Sequence, residues 1–260
     1  MIKIWLILLF IGINLKATDY GLIIGIGEYK NIASLHKVDD DIQTYIKILN
    51  HWGIQHPIVL ENQKATKKNI LKRLDFIVSK IKKGDRFFMF FSGHGSNLKD
   101  EAFSKKLKSV KIKELIKKSG AILPYDFDEN NLIKTIIIGK TDLKNRLEEI
   151  DNHVAQSLIV FDACFSQNSI KDIRGNMINL TPNILTDTND YPYKNIVYIA
   201  SSIIQAKAGK FSPILNICLD KPSSLHEIKH CINNEIGNSM QIPAIFSNKK
   251  KIDFRNLVNQ

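Results

Sequence analysis

The sequence is poor in cysteine, proline and tryptophan. Its 260 residues include 3 cysteines, 7 prolines and 2 tryptophans. An odd number of cysteines excludes a framework in which every thiol is paired. Hydrophobic residues make up 44% of the chain, which excludes a wholly disordered protein and supports a large core. The length suits one large α/β domain or two small ones.

Long apolar runs are also missing, except at the N-terminus. Met1-Ile2-Lys3 leads into an apolar run from Ile4 to Ile13 that is short for a membrane span. Leu15-Lys16-Ala17 then resembles a small-residue cleavage site. We interpret residues 1–17 as a secretory signal peptide and residues 18–260 as one domain, periplasmic or secreted. An uncleaved anchor and a first core strand are the alternatives.

Positive charge is in excess, and the formal net charge of the chain at pH 7 is +11. Such an excess is typical of proteins that bind nucleic acid or another anionic surface. However, runs such as Lys105-Lys106-Leu107-Lys108 and Lys249-Lys250-Lys251 contain no aromatic residue. We therefore interpret the lysines as solvated surface and expect no nucleic-acid partner.

Two short apolar runs each end in polar residues. One is Arg86 to Phe91 followed by Ser92-Gly93-His94-Gly95, and the other is Ser157 to Phe161 followed by Asp162-Ala163-Cys164-Phe165-Ser166. Such runs predict buried strands of a parallel sheet, whose ligands bind beyond the carboxyl ends. If these strands are neighbours, about 4.8 Å apart, His94 and Cys164 come within reach of each other. A thiol and an imidazole there are typical of a cysteine hydrolase.

The other segments predict strands that alternate with amphipathic helices. One helix begins at Val38 and is closed by Gly53, and a second is capped by Thr66. A side hairpin is predicted from residues 121–126 and 136–138, followed by a helix capped by Thr141 or Asp142. Residues 241–246 predict an edge strand, since Pro243 cannot donate to a ladder. The fold class is therefore α/β, a three-layer α/β/α sandwich around a mostly parallel sheet of about six strands.

The predicted site contains the groups that amide hydrolysis needs. A helix N-terminus and a neighbouring histidine both lower the pKa of a cysteine, and Cys164 has both in this arrangement. The backbone N–H groups of Cys164 and Gly95 would stabilise the oxyanion. His94 would then protonate the leaving amine.

The remaining cysteines lie on helical stripes of apolar residues. Cys218 lies at helical spacing from Phe211 and Leu215, and Cys231 lies at helical spacing from Ile228 and Ile232. This spacing favours two buried thiols that act as small hydrophobic residues. A disulfide between them is the alternative in an oxidising compartment.

The two polar motifs, Ser92-Gly93-His94-Gly95 and Asp162-Ala163-Cys164-Phe165-Ser166, resemble the signature motifs of the caspase-like cysteine peptidases of family C14. The likeness is to the metacaspase and bacterial caspase-like branch in particular. Weaker matches lie elsewhere: Gly21 to Ile26 with Tyr29, Leu123-Pro124-Tyr125-Asp126, Ala200-Ser201-Ser202 with Gln205-Ala206, and Gln241-Ile242-Pro243. Two positions, Gln167 and Gly209, depart from the family pattern, and relatives often carry an acid at the second.

The resemblance implies a cysteine endopeptidase with a dyad of His94 and Cys164. In metacaspases an acidic pocket accepts Arg or Lys before the cut bond, and Asp41, Ser92 and Asp162 match its residues. Two carboxylates in a partly dry pocket favour a cation by several kcal/mol. The expected partners are therefore proteins or peptides with basic residues.

No cofactor and no metal ligand is expected, and activation by calcium stays open without a clear ligand cluster. Some metacaspases bind calcium, but the acids after Cys164, namely Asp172, Asp187 and Asp190, are too widely spaced to match that site. Two other functions stay open. One is a peptidase like clostripain, gingipain or legumain, and the other is a non-catalytic interaction module with the same fold.

Overall fold

A computed structural model of the chain describes residues 17–96, 109–111, 121–163, 191–201, 208–220, 223–237, 241, 243–249, 251–252 and 254. Apart from Ala17, the predicted signal peptide lies outside these residues, as does the lysine run at 105–108. In chain order the strands and helices are β1 (Asp19–Gly25), α1 (Val38–His51), β2 (Ile58–Glu61), α2 (Lys67–Lys80), β3 (Arg86–Ser92), β4 (Gly95–Ser96), β5 (Ala121–Ile122), α3 (Leu132–Thr135), β6 (Ile137–Ile138), α4 (Lys144–His153), β7 (Gln156–Asp162), β8 (Ile196–Ala200), α5 (Phe211–Cys218), β9 (Ser223–Ser224), α6 (Leu225–Ile236), β10 (Ala244–Phe246) and β11 (Lys251–Ile252).

The central sheet has six strands in the order β10-β8-β7-β3-β1-β2. Its strands are parallel except β10, which pairs with β8 in the antiparallel direction. Every residue of β3 and β7 is buried, because helices cover both faces of the sheet. The predicted fold class is confirmed, including neighbouring positions for the two strands that carry the polar motifs.

Two hydrophobic clusters lie between the three layers, one on each face of the central sheet. One contains side chains of α2 and α4, such as Leu74 and Leu147, against one face of the sheet. The other contains side chains of α1, α5 and α6, such as Tyr45 and Leu215, against the opposite face. Among the described residues no helix is long and apolar enough to cross a membrane.

Helices α5 and α6 are joined by a disulfide between Cys218 and Cys231, whose Cα atoms are 5.6 Å apart. Both cysteines sit on helical stripes, as predicted. Of the two alternatives that the sequence left open, the structure contains the bridge.

The predicted side hairpin forms, with one more strand than expected. β5 pairs with β6, and β4 adds to β5, so Gly95 is in a strand and not a loop. The predicted cap of the next helix is wrong. The Asp142 carboxylate accepts a hydrogen bond from the Ile138 N–H and pairs with Lys67, and a π-helical turn at Gly139–Leu143 precedes α4. The Thr66 cap is confirmed, since its hydroxyl accepts from the Asn69 N–H.

A buried ion pair fixes the edge of the sheet where the parallel strands begin. Arg86 is 1% exposed, and its guanidinium donates to both oxygens of Asp19 at 2.7 and 2.5 Å. It also donates to the carbonyls of Phe254 and Trp52. One cation thus ties β1, β3, the residue that follows α1 and the C-terminal segment together.

We expect Arg86→Met to lower the free energy of unfolding by about 3–5 kcal/mol, because it leaves a carboxylate and two carbonyls without their donor. Urea unfolding followed by circular dichroism measures the loss. Asp75→Ala is the control, since the Asp75 side chain is 57% exposed in its pair with Arg146 and should cost less than about 1 kcal/mol. A loss of the same small size in both variants would contradict the role of Arg86.

Candidate active site

The polar ends of β3 and β7 meet at the carboxyl edge of the sheet. Ser92 is the Cα partner of Asp162, and the next residue, Gly93, donates its N–H to the Asp162 carbonyl at 3.3 Å. His94 therefore lies two residues beyond the end of β3. Cys164, the predicted nucleophile, follows Ala163 in the sequence and lies outside the described residues.

His94 is held by its ring as well as by its backbone. Its Nε2 lies 2.9 Å from the carbonyl oxygen of Ala33. A carbonyl only accepts, so Nε2 carries the proton, and the lone pair of the neutral ring is on Nδ1. Burial lowers the pKa of His94 and outweighs the opposing effect of the Ala33 carbonyl. The imidazole is therefore neutral at neutral pH and is a base at Nδ1.

Tyr29 sets the position of the His94 backbone. Its buried hydroxyl accepts a hydrogen bond from the His94 N–H at 2.7 Å, and its ring lies 4.9 Å from the imidazole. A Cβ atom on Gly93 would come within 2.7 Å of that hydroxyl and 2.9 Å of the Phe91 ring. Glycine before His94 is therefore required by space.

The Gly95 N–H is not used in the side sheet. The His94 carbonyl accepts from the Leu123 N–H, so these two residues form a hydrogen-bonded pair of the antiparallel ladder. The next pair, Gly95 with Ile122, is therefore a non-hydrogen-bonded pair, and its N–H groups point away from the ladder. A backbone donor of this kind is suited to an oxyanion.

Asp41 reaches the same edge from the first turn of α1. The helix packs closely on β1, since a Cβ on Gly25 would lie 2.3 Å from the Ile42 side chain. The Asp41 carboxylate is fully buried and accepts hydrogen bonds from the hydroxyls of Ser92 at 2.8 Å and Ser212 at 2.6 Å. Burial raises its pKa, and these hydrogen bonds oppose the rise.

Asp162 is 3% exposed and much less satisfied. Its Oδ2 accepts one hydrogen bond, from the Tyr45 hydroxyl at 3.3 Å, and its Oδ1 has no hydrogen-bond partner among the described residues. Burial, followed by the charge of Asp41, raises the pKa of Asp162 to about 8. The nearby Ser201 hydroxyl acts in the other direction, although its geometry is too poor for a hydrogen bond.

The structure thus brings together three predicted pocket residues, Asp41, Ser92 and Asp162. In the described part of the chain, neither carboxylate has an ion pair with Lys, Arg or His. Sequence reasoning missed two groups that contact these residues, Tyr45 and Ser212. Tyr45 follows Asp41 by one helical turn, and that spacing is a signal that places both on one helix face.

No group of three or more metal-ligating side chains occurs within the described ranges. The acids considered for calcium, Asp172, Asp187 and Asp190, lie outside those ranges.

Comparison with known proteins gives one family and one fold. Residues 18–247 match the Peptidase C14 family model, a caspase domain. The chain is also similar to the crystal structure of protein GSU0716 from Geobacter sulfurreducens, with a TM-score of 0.57 and 15% identity over 88% of this chain and 92% of that chain. At this identity the likeness shows the fold alone. No curated protein sequence gives a match.

The raised pKa of Asp162 predicts that stability depends on pH. Between about pH 4, the ordinary value for aspartate, and about pH 8, the folded state keeps a proton that the unfolded state has lost. The free energy of unfolding therefore falls as pH rises through this range. Asp162→Asn removes this dependence, so the variant should have the higher melting temperature at pH 9 and nearly the same one at pH 4.

Differential scanning calorimetry at the two pH values measures this difference. Asp220→Asn, at a half-exposed surface carboxylate, is the control and should show no such change between pH 4 and pH 9. A melting-temperature difference for Asp162→Asn that is equal at both pH values would contradict the buried, protonated carboxyl.

Proposed function

This chain belongs to the Peptidase C14 family of caspase domains, and on that premise we propose that it is a cysteine endopeptidase that cleaves after Arg or Lys. The proposed dyad is His94 and Cys164. One observation carries the proposal: Ser92 is paired with Asp162 at the carboxyl edge of the sheet. Each dyad residue follows its paired residue by two positions in the sequence.

The proposed reaction begins with the neutral imidazole. Nδ1 of His94 takes the proton from the Cys164 thiol, and the thiolate attacks the carbonyl carbon of the substrate. The N–H groups of Gly95 and Cys164 stabilise the oxyanion that forms. The protonated His94 then gives its proton to the leaving amine, and water hydrolyses the acyl-enzyme.

Two features support these roles. The bond from Nε2 to the Ala33 carbonyl fixes the tautomer that leaves Nδ1 as the base. The N–H of Gly95 is turned away from the side sheet, so it is available to a ligand. Both groups lie at the edge where parallel sheets bind their ligands.

The proposed preference for a basic residue is supported by the pocket of Asp41, Ser92 and Asp162. Two carboxylates are buried together without a cation among the described residues. A unit charge about 4 Å away contributes about 4 kcal/mol at an effective dielectric constant of 20. A guanidinium or ammonium group would therefore be strongly favoured over a neutral side chain.

We also propose that the mature enzyme is periplasmic or secreted, with residues 1–17 as its signal peptide and residues 18–260 as the peptidase domain. The Cys218–Cys231 disulfide supports this location, because such bonds persist mainly in oxidising compartments.

We expect a peptidyl-arginyl chloromethylketone to label Cys164 and to spare Cys218 and Cys231. Peptide mapping by mass spectrometry, with and without added calcium, identifies the modified thiol. Cys164→Ala should take up no label. An unlabelled wild-type protein under both conditions would favour the non-catalytic interaction module instead.

For His94→Ala we expect kcat/KM on an arginyl peptide to fall by about 10²- to 10⁴-fold, as for loss of a general acid-base. The matched control is His56→Ala, an exposed histidine before β2, which should retain full activity. Short peptides that vary the residue before the cut test the pocket. A preference for a neutral residue such as Asn would contradict cleavage after Arg or Lys and favour a legumain-like site.

A further inference from the structure

The first turn of α5 closes over the Asp41 carboxylate. The buried Ser212 hydroxyl donates to Oδ1 at 2.6 Å, and the Gly209 N–H lies 3.1 Å from both oxygens. Ser92 donates to Oδ2 from the opposite side. Both oxygens of Asp41 are therefore satisfied by donors that belong to the protein.

Gly209 reaches Asp41 in a way that a larger residue could not easily repeat. Its φ of +77° lies in the left-handed region, and a Cβ atom there would be 2.7 Å from Cβ of Lys37. The position therefore supplies a backbone donor to the Asp41 carboxylate.

Unlike Asp41, Asp162 does not have both carboxylate oxygens satisfied by donors that belong to the described part of the protein. It has one long hydrogen bond, from Tyr45, and the described residues offer no partner to Oδ1 although the side chain is 3% exposed. A buried carboxylate oxygen without a partner is costly. Such an atom is suited to a donor that arrives with a ligand.

We propose that Ser212 and the Gly209 N–H hold Asp41 as a positioning group of the specificity pocket, and that Oδ1 of Asp162 is the atom left to bind the substrate cation. This inference rests on the proposed function, because it assigns separate roles to the two acids that were expected to act alike.

The division of roles also decides which of the two carboxyl groups holds a proton. Asp41 faces two acids, Asp40 of its own helix and Asp162. It also faces the donors Ser92, Ser212 and Gly209, and these donors stabilise its charge. Asp162 faces Asp41, Tyr45 and Ser201, and it has a pKa of about 8. The proton therefore belongs to Asp162 at neutral pH, and a bound cation displaces it.

The test is calorimetric titration of the Cys164→Ala protein with N-acetyl-arginine amide, in two buffers of different ionisation enthalpy. Close to one proton should be released per ligand bound at pH 7, and almost none at pH 9.5. Replacing Asp162 with Asn in the same protein should abolish the release. Binding without proton release at pH 7 would overturn the assignment of Oδ1.

The positioning role of Ser212 is tested in the same background. Ser212→Ala should weaken binding of the arginine amide by about tenfold or more, whereas Ser212→Thr, which keeps the hydroxyl, should restore it. The control is Ser79→Ala, since Ser79 is an exposed serine whose hydroxyl donates to the Phe76 carbonyl; it should not change the affinity.

The outcomes separate the two proposals. If the Cys164→Ala protein binds the arginine amide and Ser212→Ala binds it equally well, the role of α5 is wrong and the basic preference stands. If the Cys164→Ala protein binds neither the arginine amide nor N-acetyl-lysine amide, the basic preference itself fails, and this inference fails with it.

Discussion

The pairing of β3 with β7 is the constraint on which the rest of the molecule depends. Both strands are apolar and buried along their middle, so their hydrophobic pattern alone does not choose one register over another. The polar ends do. Arg86 lies beside Asp19 at the start of β3 and binds it, while Ser92 lies beside Asp162 at the other end. A shift of β3 by one residue against both of its neighbours would break the ion pair with β1 and separate Ser92 from Asp162 of β7.

Buried charged groups have different partners at the two ends of this sheet. At the edge where the strands begin, Arg86 has a carboxylate and two carbonyls as partners, which is what burial of a charge requires. At the carboxyl edge, Asp41 and Asp162 are both buried, and burial, followed by the charge of Asp41, raises the pKa of Asp162. An arrangement that works against stability is typical of a functional site. The first edge maintains the fold, and the second edge carries the proposed site.

Much of this could be predicted from the sequence because it depends on local patterns. Apolar runs that end in polar residues gave β3 and β7, and their parallel pairing brought Ser92 and Asp162 together. The contacts of Ser212 and Gly209 with Asp41 could not be predicted, because these residues are about 170 positions apart and no periodicity relates them. The failed cap at Asp142 has the same cause, since a lysine from α2 binds that carboxylate.

The position of Asp41 shows why a local explanation of an acid can be incomplete. Three acids occupy the first turn of α1, as the helix dipole favours. Asp39 and Asp40 are exposed and need no other reason, whereas Asp41 is fully buried. The dipole does not offset the cost of burying a carboxylate beside a second one, and the donors from β3 and α5 only reduce that cost. The remaining cost falls on Asp162, whose Oδ1 has no hydrogen-bond partner among the described residues.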